Sequence, residues 1–301
     1  MKEFTVTEND SGQRLDKFIT KLMPRLPQSM MYKGFRKNCV KLNGKHAKNG
    51  AVFVEKGDTV ALYFKDEFFE TNREFKYTPY ELDIVYEDDN ILVINKAPGI
   101  LSHSDEHGCG LTVIDMVQSY LYDNGEYNPQ TSQTFKPALC NRLDRNTGGL
   151  IIAAKNSLAL REINSNIKRR NIQKFYTAVV EGNPPDDGRL TGFLTRKNKV
   201  TKVSDNGKSA ELIFSVKKRK NRFSLVEIEL LSGRTHQIRA QFADIGTPLA
   251  GDKKYGGKSA DFKYSLYSTK LVFHFDSDGP LAYLDGMTLK VSVPFEKFFK
   301  E

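Results

Sequence analysis

Period-two runs of apolar residues, placed close together along the chain, constrain this 301-residue sequence more than any other feature. Segments 175–182 (FYTAVVEG), 209–216 (SAELIFSV) and 223–231 (FSLVEIELL) read as strands. Segment 83–99 (DIVYEDDNILVINKAPG) adds two more, separated by residues 87–90 and stopped at Pro98-Gly99. Alternation sends successive side chains to opposite faces of a sheet. Consecutive strands joined by short turns pair antiparallel, because a parallel pair needs a crossover of a dozen or more residues. Helical spacing appears from about Thr112 (Ile114, Val117, Leu121) and from about Ser157 (Leu160, Ile163, Ile167). A third helix is expected from Thr235, with Ile238, Phe242 and Ile245 on one face and Gly246 as its stop. The pattern predicts an α+β domain, a largely antiparallel mixed sheet flanked by helices.

The first 64 residues are built differently. Leu15, Phe18, Ile19 and Leu22 form one helical stripe, with Asp16 and the lysines off it. Pro24 and Pro27 end that helix, and Ser29 is the expected N-cap of a second, running to about Lys37. Val40 and Leu42 alternate before the turn dipeptide Asn43-Gly44, a hairpin signal, and Gly57-Asp58 precedes another strand-like run. The expected division is a small α+β module over 12–64, a linker over 65–79 in which Phe68, Phe69 and Phe75 have packing potential, and a larger domain over 80–301.

Charge separates the two parts. Residues 12–48 contain ten basic residues (Arg14, Lys17, Lys21, Arg25, Lys33, Arg36, Lys37, Lys41, Lys45 and Lys48) and one acid, Asp16. That window therefore carries a net +9, equal to the formal charge of the whole chain, and the other 264 residues balance. A polyanion is the first partner this implies. The longest apolar stretch, residues 150–154, falls far short of the ~20 residues that span a bilayer. The polar start MKEFTVTEND does not resemble a signal peptide. Cys39, Cys109 and Cys140, odd in number and widely spaced, fit a reducing compartment, so a cytoplasmic location is expected.

Several motifs lead nowhere. GKS at 257–259 imitates the end of a phosphate-binding loop, but Asp252 stands where its first glycine is required. His103, His107 and Cys109 lie near one another without a fourth ligand at a usual spacing. No nucleophile elbow is present. Three other segments carry more. In ALCNRLDRNTGGLIIAAKN, Asp144 sits between Arg142 and Arg145, ahead of two glycines that permit a tight turn or a close approach. Flanking guanidinium groups favour the ionised carboxylate, which suits a nucleophile or base; an Arg-Asp-Arg salt-bridge cluster at a turn explains the same residues. On the strand KFYTAVVEG, Tyr176 shares a face with Ala178 and Val180. It reads either as core or as an aromatic platform beside the basic run KRRNIQK, where stacking a base contributes ~1–3 kcal/mol. In LLSGRTHQIRAQFADIG, Arg234, His236, Gln237 and Arg239 gather at a helix start, placed to hold an anion or carboxylate, or simply exposed.

Together these segments resemble the RluA-type family of RNA pseudouridine synthases. The family pattern HRLDxxTSGL stands here as NRLDRNTGGL. The pattern KxYxAxVxG matches Lys174, Tyr176, Ala178, Val180 and Gly182. GRTHQIRxH followed by GxPLxGDxxYG reads GRTHQIRAQ and then GTPLAGDKKYG. The N-terminal module resembles the small RNA-binding domain of ribosomal protein S-four through RLDKF and KLNGK. The resemblance implies a pseudouridine synthase fold over 80–301 and conversion of uridine to pseudouridine in structured RNA, most often large-subunit ribosomal RNA, by a monomer that flips the target base. No metal, nucleotide or other cofactor is implied.

The roles carried over are specific. Asp144 would be the catalytic aspartate, acting as nucleophile at C1′ or as base at C2′. Arg239 would orient it. Tyr176 would stack on the base, its hydroxyl assisting removal of the C5 proton. Arg142, Asn141, Arg234, Gln237 and Lys174 would contact substrate, Arg142 filling the space the uridine leaves. Arg14, Lys17, Arg36, Lys37, Lys41 and Lys45 would bind RNA. Asn141, Gly148 and Gln241 depart from the family's His, Ser and His, and are expected to alter RNA contacts. Two readings compete: a non-catalytic RNA-binding or ribosome-assembly protein on the same scaffold, and a synthase acting on transfer RNA. A nucleoside or glycoside hydrolase, a weaker reading, would need a second acid placed for catalysis.

Overall fold

In a computed structural model the chain is described over residues 1–69, 75–104, 110–263 and 265–299. It divides into two compact units: Met1–Pro79, Gln118–Pro137 and Lys155–Leu158 form one, and Tyr80–Val117, Ala138–Ala154 and Ala159–Glu301 form the other. Among the described residues, no helix is long and apolar enough to cross a membrane.

The N-terminal unit contains β1 (Lys2–Thr5), β2 (Gln13–Arg14), α1 (Leu15–Leu22), α2 (Gln28–Arg36), β3 (Val40–Leu42), β4 (Lys45–His46), β5 (Phe53–Val54) and β6 (Thr59–Leu62). Its main sheet runs β1-β6-β3-β4, with β2 paired to β5. The predicted α1 stripe is buried, and it meets Met31 and Phe35 of α2 and Val40, Val60 and Leu62 of the sheet in one core. Asn43 and Gly44 take φ of 51° and 75°, the paired positive values of a primed hairpin turn whose twist matches that of the strands β3 and β4. The second helix begins at Gln28 behind Pro27, so Ser29 lies inside its first turn instead of capping it.

Asp16 is the larger departure. It is 4 % exposed rather than off the buried stripe. Arg14 donates to both of its oxygens, at 3.1 and 2.6 Å, and Tyr32 adds a hydroxyl. The Arg14 guanidinium holds this carboxyl below the usual carboxylate range. The segment expected as a linker is not bare chain either. Phe69 is buried and stacks on Phe4, and Phe75 packs against Tyr122; residues 70–74 lie outside the described residues. Segment 118–137 joins this unit through polar contacts that no local pattern announces. The buried Asp10 accepts from the hydroxyl and amide of Thr134. Gln13 donates to Thr134 Oγ1, and Gln133 donates to the Thr5 carbonyl.

The remaining elements are β7 (Ile84–Glu87), β8 (Ile91–Lys96), α3 (Val113–Asp123), β9 (Ala138–Leu139), β10 (Gly148–Ala154), α4 (Ser157–Arg169), β11 (Ile172–Glu181), β12 (Asp187–Lys197), β13 (Val200–Ser204), β14 (Lys208–Lys220), β15 (Phe223–Leu230), α5 (Gln237–Asp244), β16 (Leu266–Phe273) and β17 (Thr288–Lys290); all belong to the second unit except the part of α3 from Gln118 on and the first two residues of α4. Among the described residues these strands form an eleven-stranded mixed sheet in the order β13-β12-β14-β15-β11-β16-β10-β8-β7, with β17 on β16 and β9 on β10. One core packs α4 against Ile91, Val93, Leu150, Ile152 and Leu271, and a second gathers Val179, Phe223, Leu225, Phe262 and Phe295.

The sheet has a seam. Antiparallel pairing gives way to a short parallel contact between β10 and β16, Gly148 opposite Tyr267 and Gly149 opposite Ser268. Both glycines are required there. A Cβ on Gly148 would stand 2.4 Å from the Tyr267 ring, and one on Gly149, whose φ is +101°, would stand 2.1 Å from the Ser268 carbonyl oxygen. Tyr176 of β11 pairs with the same Ser268, so Gly149, Ser268 and Tyr176 form one row across three strands.

Helix α5 is shorter than its sequence pattern. His236 adopts the left-handed region (φ 55°, ψ 25°), which ends helical geometry and excludes Thr235 and His236. Ile238 and Phe242 are buried as expected, while Ile245 lies beyond the last turn and is 40 % exposed. Gly149→Ala is expected to destabilise the chain by about 2–4 kcal/mol, combining a strained φ with a backbone overlap. Urea unfolding of the variant beside wild type measures this directly.

Candidate active site

Asp144 is held from both sides by its own backbone neighbours. The Ser102 hydroxyl donates to the Leu143 carbonyl and accepts from the Leu143 amide, at 2.8 and 3.1 Å. The Arg145 carbonyl accepts from Lys96 Nζ at 3.1 Å, and the carbonyls of Ala97 and Ile100 take the other two ammonium donors. Lys96 is 2 % exposed. Burial pushes its pKa down to about 8, with the charge of Asp144 opposing the shift. Thr147 N–H closes the turn onto the Asp144 carbonyl, and β10 begins at the next residue.

Arg239, in the first turn of α5, reaches Asp144 from the other side. Its Nη1 donates to Asp144 Oδ2 at 3.1 Å. Its Nε and Nη2 grip Asp252 in a two-pronged pair at 2.6 and 2.9 Å. The guanidinium lies over the Tyr255 ring, 4.8 Å from its centre. Burial works against the charge on Arg239, but the bonds to Asp252 and the fields of Asp252 and Asp144 outweigh it, so its pKa is raised. His236 Nε2 stands 3.7 Å from the same Asp144 oxygen.

Tyr176 lines the wall of a cleft of about 880 Å³. Burial pushes its phenol up to about 12, which keeps it protonated at neutral pH; the Ser268 hydroxyl favours the opposite direction. Among the described residues lining the cleft, nine are Lys or Arg and one, Asp144, is a carboxylate. Such a surface binds polyanions and offers one reactive acid.

The other expected site residues divide into two groups. Arg142, Arg234 and Lys174 line the cleft. Among the described residues, the Lys174 ammonium has no hydrogen-bond or ionic partner, and burial lowers its pKa. Arg234 is exposed, with its Nε donating to the Ser209 carbonyl at 2.9 Å. Asn141 and Gln237 have side chains already bonded within the protein. Asn141 accepts from the Ile152 amide at 2.7 Å and donates to the Leu150 carbonyl. Gln237, 2 % exposed, accepts from Ser232 and Arg234 and donates to the Glu211 carbonyl. Both residues also line the cleft, with their amides bonded to the protein's own groups.

The three departures from the family pattern all make contacts within the protein. Besides Asn141, Gln241 is buried and donates to the Leu190 carbonyl, and Gly148 makes room for Tyr267. In the N-terminal unit, Lys17, Arg36, Lys37 and Lys45 are exposed, Lys41 lies over the Tyr63 ring, and Arg14 is engaged by Asp16.

Asp252, Tyr255 and Lys96 belong to the site, although the sequence alone does not single them out as site residues. The signal for the first two is their place in GDKKYG. For Lys96 it is a lone charge ending the apolar run ILVIN. The amides of Lys258 and Ser259, the imitation phosphate loop, donate instead to Glu181 Oε1 at 2.8 and 2.7 Å. Cys140 also lines the cleft, but burial pushes its thiol up to about 12. His107 and Cys109 lie outside the described residues, and among those described no group of three or more His, Cys, Asp or Glu is placed to hold a metal.

A family model for RNA pseudouridylate synthases matches residues 90–244, a span that includes Asp144, Tyr176 and Arg239 and stops short of Asp252. A Mycoplasma capricolum protein described as an uncharacterized RNA pseudouridine synthase is 30% identical over 300 residues, covering 96% of this chain and 97% of that one. Ribosomal large subunit pseudouridine synthase C of Pasteurella multocida is 29% identical over 312 residues, 100% of this chain and 92% of that one. Among solved structures, human RNA pseudouridylate synthase domain containing 4 superposes with a TM-score of 0.55 at 20% identity, over 70% of this chain and 88% of that one, which shows the shared fold. These matches define the class: an isomerase acting on RNA. The chain belongs to the RNA pseudouridine synthase family, as its three motifs implied.

Asp252→Asn is expected to loosen Arg239 and slow single-turnover isomerisation about 10- to 100-fold, the usual effect of a small misplacement of a reacting group. RNA affinity should stay within about twofold, because Asp252 does not line the cleft. Rapid-quench assays beside filter binding separate the two quantities.

Proposed function

We propose that this chain converts uridines to pseudouridine in large-subunit ribosomal RNA, with Asp144 as the reacting carboxylate. The observation that carries the reading is the lone carboxylate of a cationic cleft, held at one oxygen by Arg239. Among the described residues, Asp144 Oδ1 accepts no hydrogen bond, so one oxygen is fixed and the other is open. Attack at C1′ and removal of a proton at C2′ both start from that open oxygen. The glycosidic C1′–N1 bond breaks, the uracil turns, C5 bonds to C1′, and the C5 proton leaves as N1 gains one. The RNA class is supported by relatives whose names specify the large ribosomal subunit.

Tyr176 suits stacking on the uracil, since a phenol at about 12 keeps its proton and is a poor base at neutral pH. Taking the uridine out of its stack costs a few kcal/mol, and the exposed Arg142 can occupy the space. The unpartnered ammonium of Lys174 suits a backbone phosphate. The S-four-like unit supplies affinity through its exposed basic side chains, whose phosphate contacts release counterions.

Three experiments test this. Tritium release from uracil-C5-labelled large-subunit ribosomal RNA should be abolished by Asp144→Asn with RNA affinity retained; an active Asp144→Asn enzyme would remove that carboxylate from the mechanism. In cells, pseudouridine mapping with and without the gene should show the missing sites in large-subunit ribosomal RNA, and sites missing only from transfer RNA would overturn the RNA assignment. Replacing Lys33, Arg36, Lys37 and Lys45 together by Gln should flatten the salt dependence of binding, by about 0.7–0.9 in slope for each phosphate no longer neutralised. The single-turnover rate at saturating RNA should not change. An unaltered slope would mean that this unit is not the RNA anchor.

A further inference from the structure

With Asp144 as the reacting carboxylate, one oxygen must be held while the other stays open, and Arg239 holds Oδ2 through a single donor. His236 lies beside that oxygen. Its ring is 13 % exposed, lines the cleft, and meets Tyr255 edge to face, with centroids 5.6 Å apart. The left-handed backbone at His236, a conformation in which His and Asn are enriched among non-glycine residues, takes it out of α5.

Hydrogen bonds around Tyr255 determine where the imidazole proton sits. The Tyr255 oxygen accepts the Thr201 amide at 2.9 Å. Its own proton is then available for His236 Nδ1, 2.8 Å away. A neutral imidazole that accepts at Nδ1 carries its hydrogen on Nε2. That nitrogen is the one 3.7 Å from Asp144 Oδ2. The separation exceeds a formed hydrogen bond, and catalytic bonds of this kind commonly tighten once substrate is bound. The charged and titratable groups facing His236 are Asp144, Arg239, Lys254, Arg196 and Tyr255. Burial, reinforced by the three cations, lowers its pKa against the pull of Asp144, so the ring is neutral at neutral pH.

We propose that His236 is a positioning residue for the isomerisation: held as the Nε2–H tautomer by Tyr255, it directs a second donor at Asp144 Oδ2 and leaves Oδ1 to the ribose. The proposal rests on Asp144 being the reacting group. Tyr255 braces both donors, since its ring also lies beneath the Arg239 guanidinium. Protonation of Nδ1 at low pH would expel the Tyr255 proton from that bond and place a cation beside Asp144.

The test uses the full-length chain, saturating enzyme and uracil-C5-tritiated large-subunit ribosomal RNA, with wild type and Asp144→Asn as references. His236→Asn tolerates the left-handed backbone but is too short to reach Asp144, whereas His236→Gln is long enough to offer an amide N–H there. His236→Asn should slow the single-turnover rate about 10- to 100-fold with RNA affinity within about twofold, and His236→Gln should recover most of that rate. Tyr255→Phe should slow the rate about tenfold, because the tautomer is no longer selected. The wild-type rate should fall as pH drops below the ordinary histidine range, and in His236→Gln that acid limb should move to lower pH. A His236→Asn enzyme at the wild-type rate overturns the proposal, as does a His236→Gln enzyme as slow as His236→Asn with unchanged affinity. Wild-type turnover by Tyr255→Phe overturns the tautomer selection. An active Asp144→Asn enzyme instead overturns the underlying assignment. Retained RNA affinity and thermal melting establish that each variant is folded.

Discussion

One guanidinium shared between two carboxylates organises this molecule. Arg239 is mostly buried, and an unpaired charge in that position would be costly to desolvate. Asp252 meets two of its nitrogens in plane, and the remaining donor points at Asp144. Only the planar fork of arginine allows both at once; a lysine would supply a point charge without the geometry. Such a pair contributes little net stability, but it fixes direction. Asp252 is itself placed by a loop whose Gly251, Lys258 and Ser259 amides converge on Glu181, at the end of the strand that carries Tyr176. The orientation of one carboxyl oxygen therefore depends on loops and strands far apart in the chain.

The seam in the sheet is the second half of that arrangement. A strand entering a parallel contact needs its backbone very close to its neighbour, and Gly148 and Gly149 supply that closeness where β10 meets β16. The approach places the residues just before β10, Asp144 among them, beside the row that ends in Tyr176. Gly148 also accounts for a departure from the family pattern: the Tyr267 ring occupies the space a serine side chain would take. Asn141 and Gln241 likewise donate to the protein's own carbonyls.

Much of this is legible along the chain. The α1 stripe, the Asn43-Gly44 hairpin and the β11, β14 and β15 runs appear as read, because each depends on residues within a few positions of one another. The confinement of excess charge to residues 12–48 is equally plain. Motif spacing identifies Asp144, Tyr176 and Arg239, and the structure lines all three along one cleft. The differences share one cause, that local pattern carries no information on partners or on backbone sign. Helical phase sends Asp16 to solvent, yet the carboxylate is buried and accepts from Arg14 and Tyr32. Periodicity draws α5 two residues too long because it is blind to the sign of φ at His236.

The sequence by itself determined the fold class, the family, the basic character of the N-terminal segment and the residue types the reaction needs, since these follow from local periodicity, composition and ordered motifs. Tertiary structure alone decided which oxygen of Asp144 is held, that Asp252, Tyr255 and Lys96 surround it, which groups the Asn141 and Gln237 amides bond, and that segment 118–137 belongs with the N-terminal chain. Those outcomes rest on specific hydrogen bonds that no periodicity encodes, some between groups far apart in the chain, 95 positions in the case of Arg239 and Asp144. The strength of such bonds is set by distance and burial, and neither quantity exists until the chain has folded.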